Sequence, residues 1–122
     1  MGIKDRLHRA LASRAEIEAD EEREQSARST GCTPVSHLRD RARATVSGVL
    51  RSVTLRPREG VPALEAELYD GSGSLDLVWL GRREIHGVEP GRRLRVEGLV
   101  CDVDGRRTVF NPRYELAPRP GE

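Results

Sequence analysis

The chain has 122 residues with 21 basic and 20 acidic side chains, and its formal net charge of +1 excludes a strongly basic nucleic-acid binder on bulk charge alone. The length corresponds to one domain of the common size, roughly 100–150 residues, and no apolar run approaches the ~20 residues of a membrane span. Two cysteines without paired spacing, and the lack of a secretory signal, predict a cytoplasmic protein that holds no metal or cofactor.

The N-terminal region, residues 1–28, has the composition of a helix. It lacks proline, is rich in Ala, Glu and Arg, and spaces its apolar side chains at helical intervals, at Ile3, Leu7, Ala10 and Leu11. After Ile17 the apolar stripe fades into a run that is polar on every side, so we expect a helix that is partly loose unless a partner covers it. Residues 29–42 carry a glycine and a proline and are predicted to be a linker or an extended lead-in.

Residues 43–116 change to strand patterns, with β-branched residues and alternating apolar and polar side chains. The predicted strands are 43–56, 62–70, 74–80, 92–103 and 107–116. Between the third and fourth strands, the glycine-bounded residues 81–91 are too short for a strand and predict a single helical turn. Residues 117–122 are predicted to be a disordered tail.

The second and third strands are joined by Gly71 and Ser72, which predict a two-residue hairpin loop. With that loop, every pair on one face of the hairpin is apolar: Leu68 with Leu75, Ala66 with Leu77, and Leu64 with Trp79. The other face sets Glu67 against Asp76, a like-charge pair that should lower stability unless an arginine lies alongside.

Two glycines lie where the alternation within a strand changes phase, Gly48 in the first strand and Gly98 in the fourth. A bulge or a barrel corner requires a glycine at such a position. Five antiparallel strands bent in this way predict a mainly β protein, a five-stranded OB-fold Greek-key barrel. A short helix is expected between strands three and four, and the N-terminal α-helix precedes the barrel.

Three stretches carry a family resemblance: DGSGSLDLVW in the second hairpin, PGRRLRVEG entering the fourth strand, and NPRYEL in the fifth. They resemble the OB-fold family of nucleic-acid-binding domains. Within it they are similar to the wedge domain of RecG-type branched-DNA helicases, the anticodon-binding domain of some tRNA synthetases, and small stand-alone actinobacterial OB-fold proteins. The resemblance covers residues 43–116 and implies binding of single-stranded or branched DNA, or of RNA, across strands two and three and the loops beside them.

The second strand departs from this family pattern. Its polar face carries Glu65 and Glu67, with Asp76 opposite, where the family uses exposed aromatic and basic residues. Phosphates would be repelled by that face unless it points away from the ligand. Helicase motifs are absent, which excludes a motor.

All but one of the 21 basic residues are arginines, which suit bidentate phosphate contacts, although a GC-rich genome produces the same bias. Arginine pairs at loop edges are the predicted nucleic-acid contacts: Arg56 and Arg58, Arg82 and Arg83, Arg92 and Arg93, and Arg106 and Arg107. In an OB-fold the loops that hold the first and last pairs flank the ligand groove, so these two pairs predict a phosphate clamp. Solubility alone would also account for such doublets.

The aromatic residues divide between core and surface. Tyr69 shares the polar face of strand two and is a candidate platform for base stacking, or else a shield for the adjacent turn. Trp79 shares a face with core leucines and is either a core residue or a platform. Phe110 lies opposite Leu99 and is predicted to be a core residue. Tyr114 has the same parity as Phe110 along the predicted strand and is predicted to be structural too.

The chain offers no Ser-His-Asp or Cys-His arrangement, no phosphate-cradling glycine loop and no metal-ligand spacing, so an enzyme is not expected. The sequence predicts a non-enzymatic nucleic-acid-binding module that favours single-stranded or forked DNA in replication or repair, with tRNA left open. The alternative is a protein-interaction adaptor, in which the acidic face of strands two and three meets a basic partner and the N-terminal helix docks on a protein.

Overall fold

The computed structural model describes residues 13–24 and 31–119. Residues 13–24 are helical (α1) and belong to the predicted N-terminal helix. The apolar residues Ile3 to Leu11 of that helix, the first part of the predicted lead-in and the last part of the predicted tail lie outside the described residues.

The described chain is built mainly of strands. A 3₁₀ turn spans Val35–His37, and the strands are β1 Arg43–Arg58, β2 Val61–Tyr69, β3 Ser74–Leu80, β4 Arg93–Val103, β5 Arg106–Phe110 and β6 Arg113–Leu116. These bounds agree with the strand patterns of the sequence, except that the last predicted strand is divided in two.

Strand β1 closes the barrel because it is long enough, at 16 residues, to pair with two other strands. Its first half pairs antiparallel with β4, from Arg43 opposite Leu99 to Val49 opposite Arg93. Its second half pairs antiparallel with β2. The sheet continues in the order β1-β2-β3-β5-β4, so the β4–β1 pairing closes a ring. This architecture confirms the predicted mainly β OB-fold.

Gly48 forms the corner of the barrel at which β1 leaves β4 and begins to pair with β2. A Cβ atom at this position would lie 2.5 Å from the backbone oxygen of Tyr69, so only glycine permits the close approach of the two strands. The bulge lies further along β1, where Arg51 is the extra residue between Leu50 and Ser52. The predicted corner is therefore present, and the bulge that increases the bend follows it.

The structure corrects the predicted element list in three places. Asn111 has a φ of 50° and Pro112 has no N–H to continue the ladder, so the predicted fifth strand is divided into β5 and β6. Strand β5 runs parallel to β3, so the strands are not all antiparallel. Residues 81–91 form turns instead of a helical turn, because positive φ angles interrupt a right-handed helix at Gly81, Gly87 and Gly91.

The predicted β2–β3 register is confirmed, and the core lies inside the ring. Trp79 is 5% exposed, and its Nε1 donates a hydrogen bond of 3.2 Å to the carbonyl oxygen of Pro112. Tyr114 packs edge-on against it, with 5.9 Å between the ring centroids. Trp79 is therefore a core residue rather than a stacking platform, and Tyr114 supports it from outside.

The prediction that Phe110 belongs to the core is wrong. Phe110 is 36% exposed, and Leu99 is 44% exposed. Val100 and Val109 are the paired, buried residues one position away, so alternation directs Leu99 and Phe110 to the outer face. The β4–β5 register agrees with the prediction, but Leu99 and Phe110 lie on the opposite face of the sheet from the one expected.

Asp70 fastens the lead-in to the barrel. This residue is 3% exposed, and its carboxylate accepts hydrogen bonds from the backbone N–H groups of Val35 at 2.8 Å, Ser72 at 2.9 Å and Gly73 at 3.1 Å. The Ser72 hydroxyl donates a further bond of 2.7 Å. These bonds satisfy the donors of the β2–β3 turn and hold Val35 in the core.

Replacing Asp70 with alanine is expected to lower the free energy of unfolding by about 1–3 kcal/mol, because it leaves buried N–H groups without an acceptor. Urea denaturation measures this loss. The matched control is Glu84→Ala, since Glu84 is an exposed carboxylate in the β3–β4 connection. The control should change the free energy by no more than about 0.5 kcal/mol, and equal losses in the two variants would contradict the role of Asp70.

Candidate functional site

The outer face of β1, β2, β3 and β5 forms a groove of about 480 Å³. The turn between β4 and β5 closes one side of it. The residues around this groove are Ser52, Thr54, Arg56, Arg58, Glu65, Ala66, Glu67, Asp76, Val78, Val103, Asp104, Arg106 and Thr108.

Strand pairing arranges the groove residues in rows across the sheet. The Glu67 row consists of Ser52, Glu67, Asp76 and Thr108. The Phe110 row lies two residues further along the strands and consists of Thr54, Glu65, Val78 and Phe110. Because side chains alternate along a strand, both rows face outward. The groove is therefore an ordered surface supported by the barrel rather than by a loop.

Glu65 binds two arginines from the end of β1. Arg58 donates from Nε and Nη2 to Glu65 Oε1, at 2.8 Å and 2.5 Å. Arg56 Nε lies 3.6 Å from Glu65 Oε2. The side chain of Glu65 is only 20% exposed, whereas that of Arg56 is 69% exposed. The carboxylate thus lies in the groove floor and the guanidinium groups form its rim.

Asp76 binds the arginine that follows the β4–β5 turn. Arg106 donates from Nε to Asp76 Oδ2 at 2.6 Å and from Nη2 to Oδ1 at 2.8 Å. The hydrogen bond and charge of Asp76, with a smaller contribution from the charge of Glu67, raise the pKa of Arg106 above its ordinary value. Glu67 lies directly opposite Asp76, so the predicted like-charge pair is present, and the arginine that it requires is Arg106.

Glu67 differs from the other carboxylates of the groove floor. Its Oε1 accepts a 2.9 Å hydrogen bond from the Ser74 hydroxyl, and the side chain is half-buried. Within residues 13–24 and 31–119, ion pairs join Glu65 and Asp76 to arginines, and none joins Glu67 to one. Glu67 therefore presents a carboxylate that is oriented but not neutralised by direct contact.

The groove ends in an exposed apolar surface that the sequence analysis missed. Val61, Leu80 and Phe110 are 45%, 41% and 36% exposed. The guanidinium carbon of Arg58 lies 5.7 Å from the centroid of the Phe110 ring, within the range of a cation–π contact. Phe110 shares its parity along β5 with Arg106, and this alternation was the signal that could have placed it on the groove face.

The structure brings three of the predicted arginines together at the groove, namely Arg56, Arg58 and Arg106. Tyr69 lies outside it. The guanidinium of Arg51 lies 3.3 Å from the centroid of the Tyr69 ring, so one face of this ring is already covered. The ring of Phe110 is less covered, because the guanidinium carbon of Arg58 lies 5.7 Å from its centroid, so Phe110 is the better candidate for the platform expected at Tyr69.

The other predicted arginines lie elsewhere on the barrel. Arg93 donates to both carboxylate oxygens of Glu22 in α1, at 2.9 Å and 2.6 Å. Arg92 donates to the carbonyl oxygen of Ala117 at 3.0 Å. These two arginines hold α1 and the chain after β6 against the barrel. Arg107 is half-buried beside the β2–β3 turn, in a smaller depression next to the lead-in.

Arg82 and Arg83 follow Gly81, just after the end of β3, and both are exposed. The N–H of Leu80 donates to the side-chain oxygen of Asn111 at 2.9 Å, which fastens the end of β3 beside the end of β5. In the described part of the chain neither arginine forms an ion pair. Both guanidinium groups are therefore open to solvent.

The groove combines three kinds of contact at close quarters. The groove contains three arginines and four carboxylates, so its formal net charge is −1. The carboxylates are the three of the floor (Glu65, Glu67 and Asp76) and Asp104. The rim donates hydrogen bonds, the floor accepts them, and Phe110 offers an apolar ring. Among the described residues no group of His, Cys, Asp and Glu could hold a metal ion, and no helix is long and apolar enough to cross a membrane.

Solved structures provide the comparison with known proteins. RecG bound to a three-way DNA junction matches 74% of this chain with a TM-score of 0.60 and 22% sequence identity. The p204 HINb domain matches 74% with a TM-score of 0.59 and 14% identity. A replication protein A heterotrimer bound to single-stranded DNA matches 63% with a TM-score of 0.50 and 16% identity. No family model and no curated protein matches the chain.

These matches involve only part of each protein. This chain covers 13% of the RecG chain, 49% of the p204 chain and 58% of the replication protein A chain. At such identities the comparisons show the fold, which agrees with the predicted resemblance to OB-fold domains. The chain therefore has an OB-fold barrel similar to those in the three solved structures, two of which are bound to DNA.

Arg106 is expected to offset the repulsion between Glu67 and Asp76, and a double-mutant cycle tests this role. Arg106→Ala is expected to lower the free energy of unfolding by about 0.5–1 kcal/mol, as for an exposed ion pair that also relieves a like-charge contact. In an Asp76→Asn chain the same change should alter it by about 0.3 kcal/mol or less. Urea denaturation at low salt measures both values. Equal losses in the two backgrounds would show that Arg106 does not act through Asp76.

Proposed function

We propose that the protein is a non-enzymatic nucleic-acid-binding module that takes single-stranded DNA, or the open arms of branched DNA, in the groove. The observation that carries the proposal is the presence of Arg58 and Phe110 within 5.7 Å of each other on one rigid sheet face. A guanidinium binds phosphate, an exposed ring binds a base, and a single strand presents both groups in each nucleotide.

The phosphate contacts are assigned to the rim. A guanidinium has five N–H donors, and the carboxylate bonds of Arg58 and Arg106 each use two of them. Arg56 is the most exposed of the three, and its contact with Glu65 is the longest. These arginines therefore retain donors for a phosphate while the carboxylates hold them in position.

The base contact is assigned to Phe110. Stacking of one base on an aromatic ring contributes about 1–3 kcal/mol where it has been measured, and it tolerates any sequence. Val61 and Leu80 extend the apolar surface around the ring. An apolar surface of this kind favours an unpaired base, because a duplex keeps its base faces stacked inside the helix.

The acidic floor should favour binding of a single strand over binding of a duplex. Carboxylates repel phosphates but accept hydrogen bonds from base amino groups. Only an unpaired strand can turn its base edges toward the floor, at Glu67, while its phosphates follow the rim. A duplex would bring both of its backbones to a groove whose formal balance is −1.

The solved structures support the same class of ligand. RecG is bound to a three-way DNA junction, and the replication protein A heterotrimer is bound to single-stranded DNA. A role in replication or repair of DNA belongs to this proposal. The adaptor alternative is disfavoured because Arg56, Arg58 and Arg106 neutralise two of the three carboxylates that a basic partner would meet.

A titration of labelled nucleic acids tests the proposal. At low salt, a mixed-sequence single strand and a forked DNA should bind at micromolar concentration or tighter, and the duplex of the same sequence about tenfold more weakly. Each phosphate contact on a single strand contributes about −0.7 to the slope of log K against log salt, so engagement of all three rim arginines predicts a slope of about −2. A further titration with tRNA measures whether structured RNA competes with the single strand for binding.

Two variants locate the binding. Arg58→Ala and Phe110→Ala should each weaken single-strand binding about tenfold, through a lost charged hydrogen bond and a lost stacking contact. The control is Arg95→Ala, because Arg95 is an exposed arginine of β4 outside the groove. Loss of affinity in the control but not in the groove variants would overturn the proposed site. Absence of binding to any strand at low salt would overturn the function.

A further inference from the structure

We infer that Glu67 selects guanine, by accepting two hydrogen bonds from the Watson–Crick edge of one unpaired base. This inference rests on the proposed function, since it concerns which bases the groove prefers. It assigns a base-reading role to a residue that the family pattern would treat as an obstacle to binding.

The first step is the availability of the Glu67 carboxylate. Arg58 occupies Oε1 of Glu65 through two bonds, and Arg106 occupies both oxygens of Asp76. Among the described residues, Glu67 accepts a hydrogen bond from the Ser74 hydroxyl alone, at Oε1. A carboxylate has about four lone-pair positions, so Glu67 can accept two further donors without breaking an ion pair.

The second step is the position of Glu67 relative to Phe110. The Glu67 row lies beside the Phe110 row, two residues along the strands, which corresponds to about 6.6–6.8 Å. A base stacked on Phe110 therefore has a neighbouring base over the Glu67 row. The rim arginines continue alongside, because Arg106 is bound to Asp76 in that same row.

The third step is the chemistry of the base edges. Guanine presents N1–H and the N2 amino group side by side, and these two donors match the two oxygens of one carboxylate. Adenine and cytosine present one amino group beside a ring nitrogen that is itself an acceptor, so the second oxygen of Glu67 would be repelled. Thymine and uracil present one N–H between two carbonyl oxygens. A carboxylate has acceptors alone, and guanine is the base that it fits best.

The fourth step is the contrast with Glu65. The carboxylate of Glu65 is held by Arg56 and Arg58, so a base that bonded to it would have to displace an arginine. Neutralising Glu65 should change the binding of every sequence by the same factor, because it alters the arginines that contact phosphates and no base-reading group. Neutralising Glu67 should instead remove the preference for guanine. The two glutamates lie in neighbouring rows of β2, and their substitution should therefore have different effects, on overall affinity at Glu65 and on guanine preference at Glu67.

The test uses three labelled single strands of equal length, with alternating thymine and guanine, alternating thymine and hypoxanthine, and thymine alone. Hypoxanthine keeps N1–H and lacks the N2 amino group. The full chain is expected to bind the guanine strand about tenfold more tightly than the hypoxanthine strand, in line with the discrimination by a bidentate pair. In Glu67→Gln this ratio should fall to about twofold, because the amide has one acceptor oxygen.

The control variant is Glu65→Gln, which should keep the tenfold ratio and change the affinity for all three strands by the same factor. Thermal unfolding of each variant checks that the barrel is intact. A ratio near one in the unchanged protein, or a ratio that Glu67→Gln leaves unchanged, would overturn the inference. The proposed function would survive that result if the strands still bind and Arg58→Ala still weakens them, and it would fail with the inference if no strand binds.

Discussion

The structure depends on the neutralisation of carboxylates on one sheet face by arginines from neighbouring strands. Glu67 and Asp76 face each other on β2 and β3, and two like charges at this distance destabilise a sheet. Arg106 binds Asp76 from the start of β5, and β5 lies beside β3 because the barrel is closed. The parallel pairing of β3 with β5 therefore also brings the neutralising arginine to the acidic face, so fold and site share one interaction.

This arrangement explains how a chain with a net charge of +1 can offer a specific surface without a basic patch. Each rim guanidinium is held in a defined direction by a floor carboxylate, so less side-chain entropy is lost when a ligand binds. The same carboxylates remove the long-range attraction that would draw in any polyanion. We therefore interpret the groove as selective for a strand that can use its bases as well as its phosphates.

The sequence predicts what local pairing and alternation determine. The β2–β3 register, the need for an arginine beside Glu67 and Asp76, and the corner at Gly48 all follow from residues that are neighbours along the chain or across one hairpin. Alternation along β5 places Phe110 on the same face as Arg106, but the position of that face beside β3 and the groove follows from the parallel pairing of β5 with β3, which no local pattern gives. The contact of Arg93 could not be predicted from a local pattern either, because its partner Glu22 lies 71 residues away in the chain.

The most direct test of the account is the response of individual arginine side chains to a bound strand. Arginine Nε–H resonances report each guanidinium by nuclear magnetic resonance, once single alanine variants have assigned them. Addition of single-stranded DNA should shift the resonances of Arg58 and Arg106, whose Nε atoms bond to floor carboxylates, and should leave that of Arg93 unchanged. A shift at Arg93 with Arg58 and Arg106 unaffected would contradict the account, because the strand would then lie outside the groove.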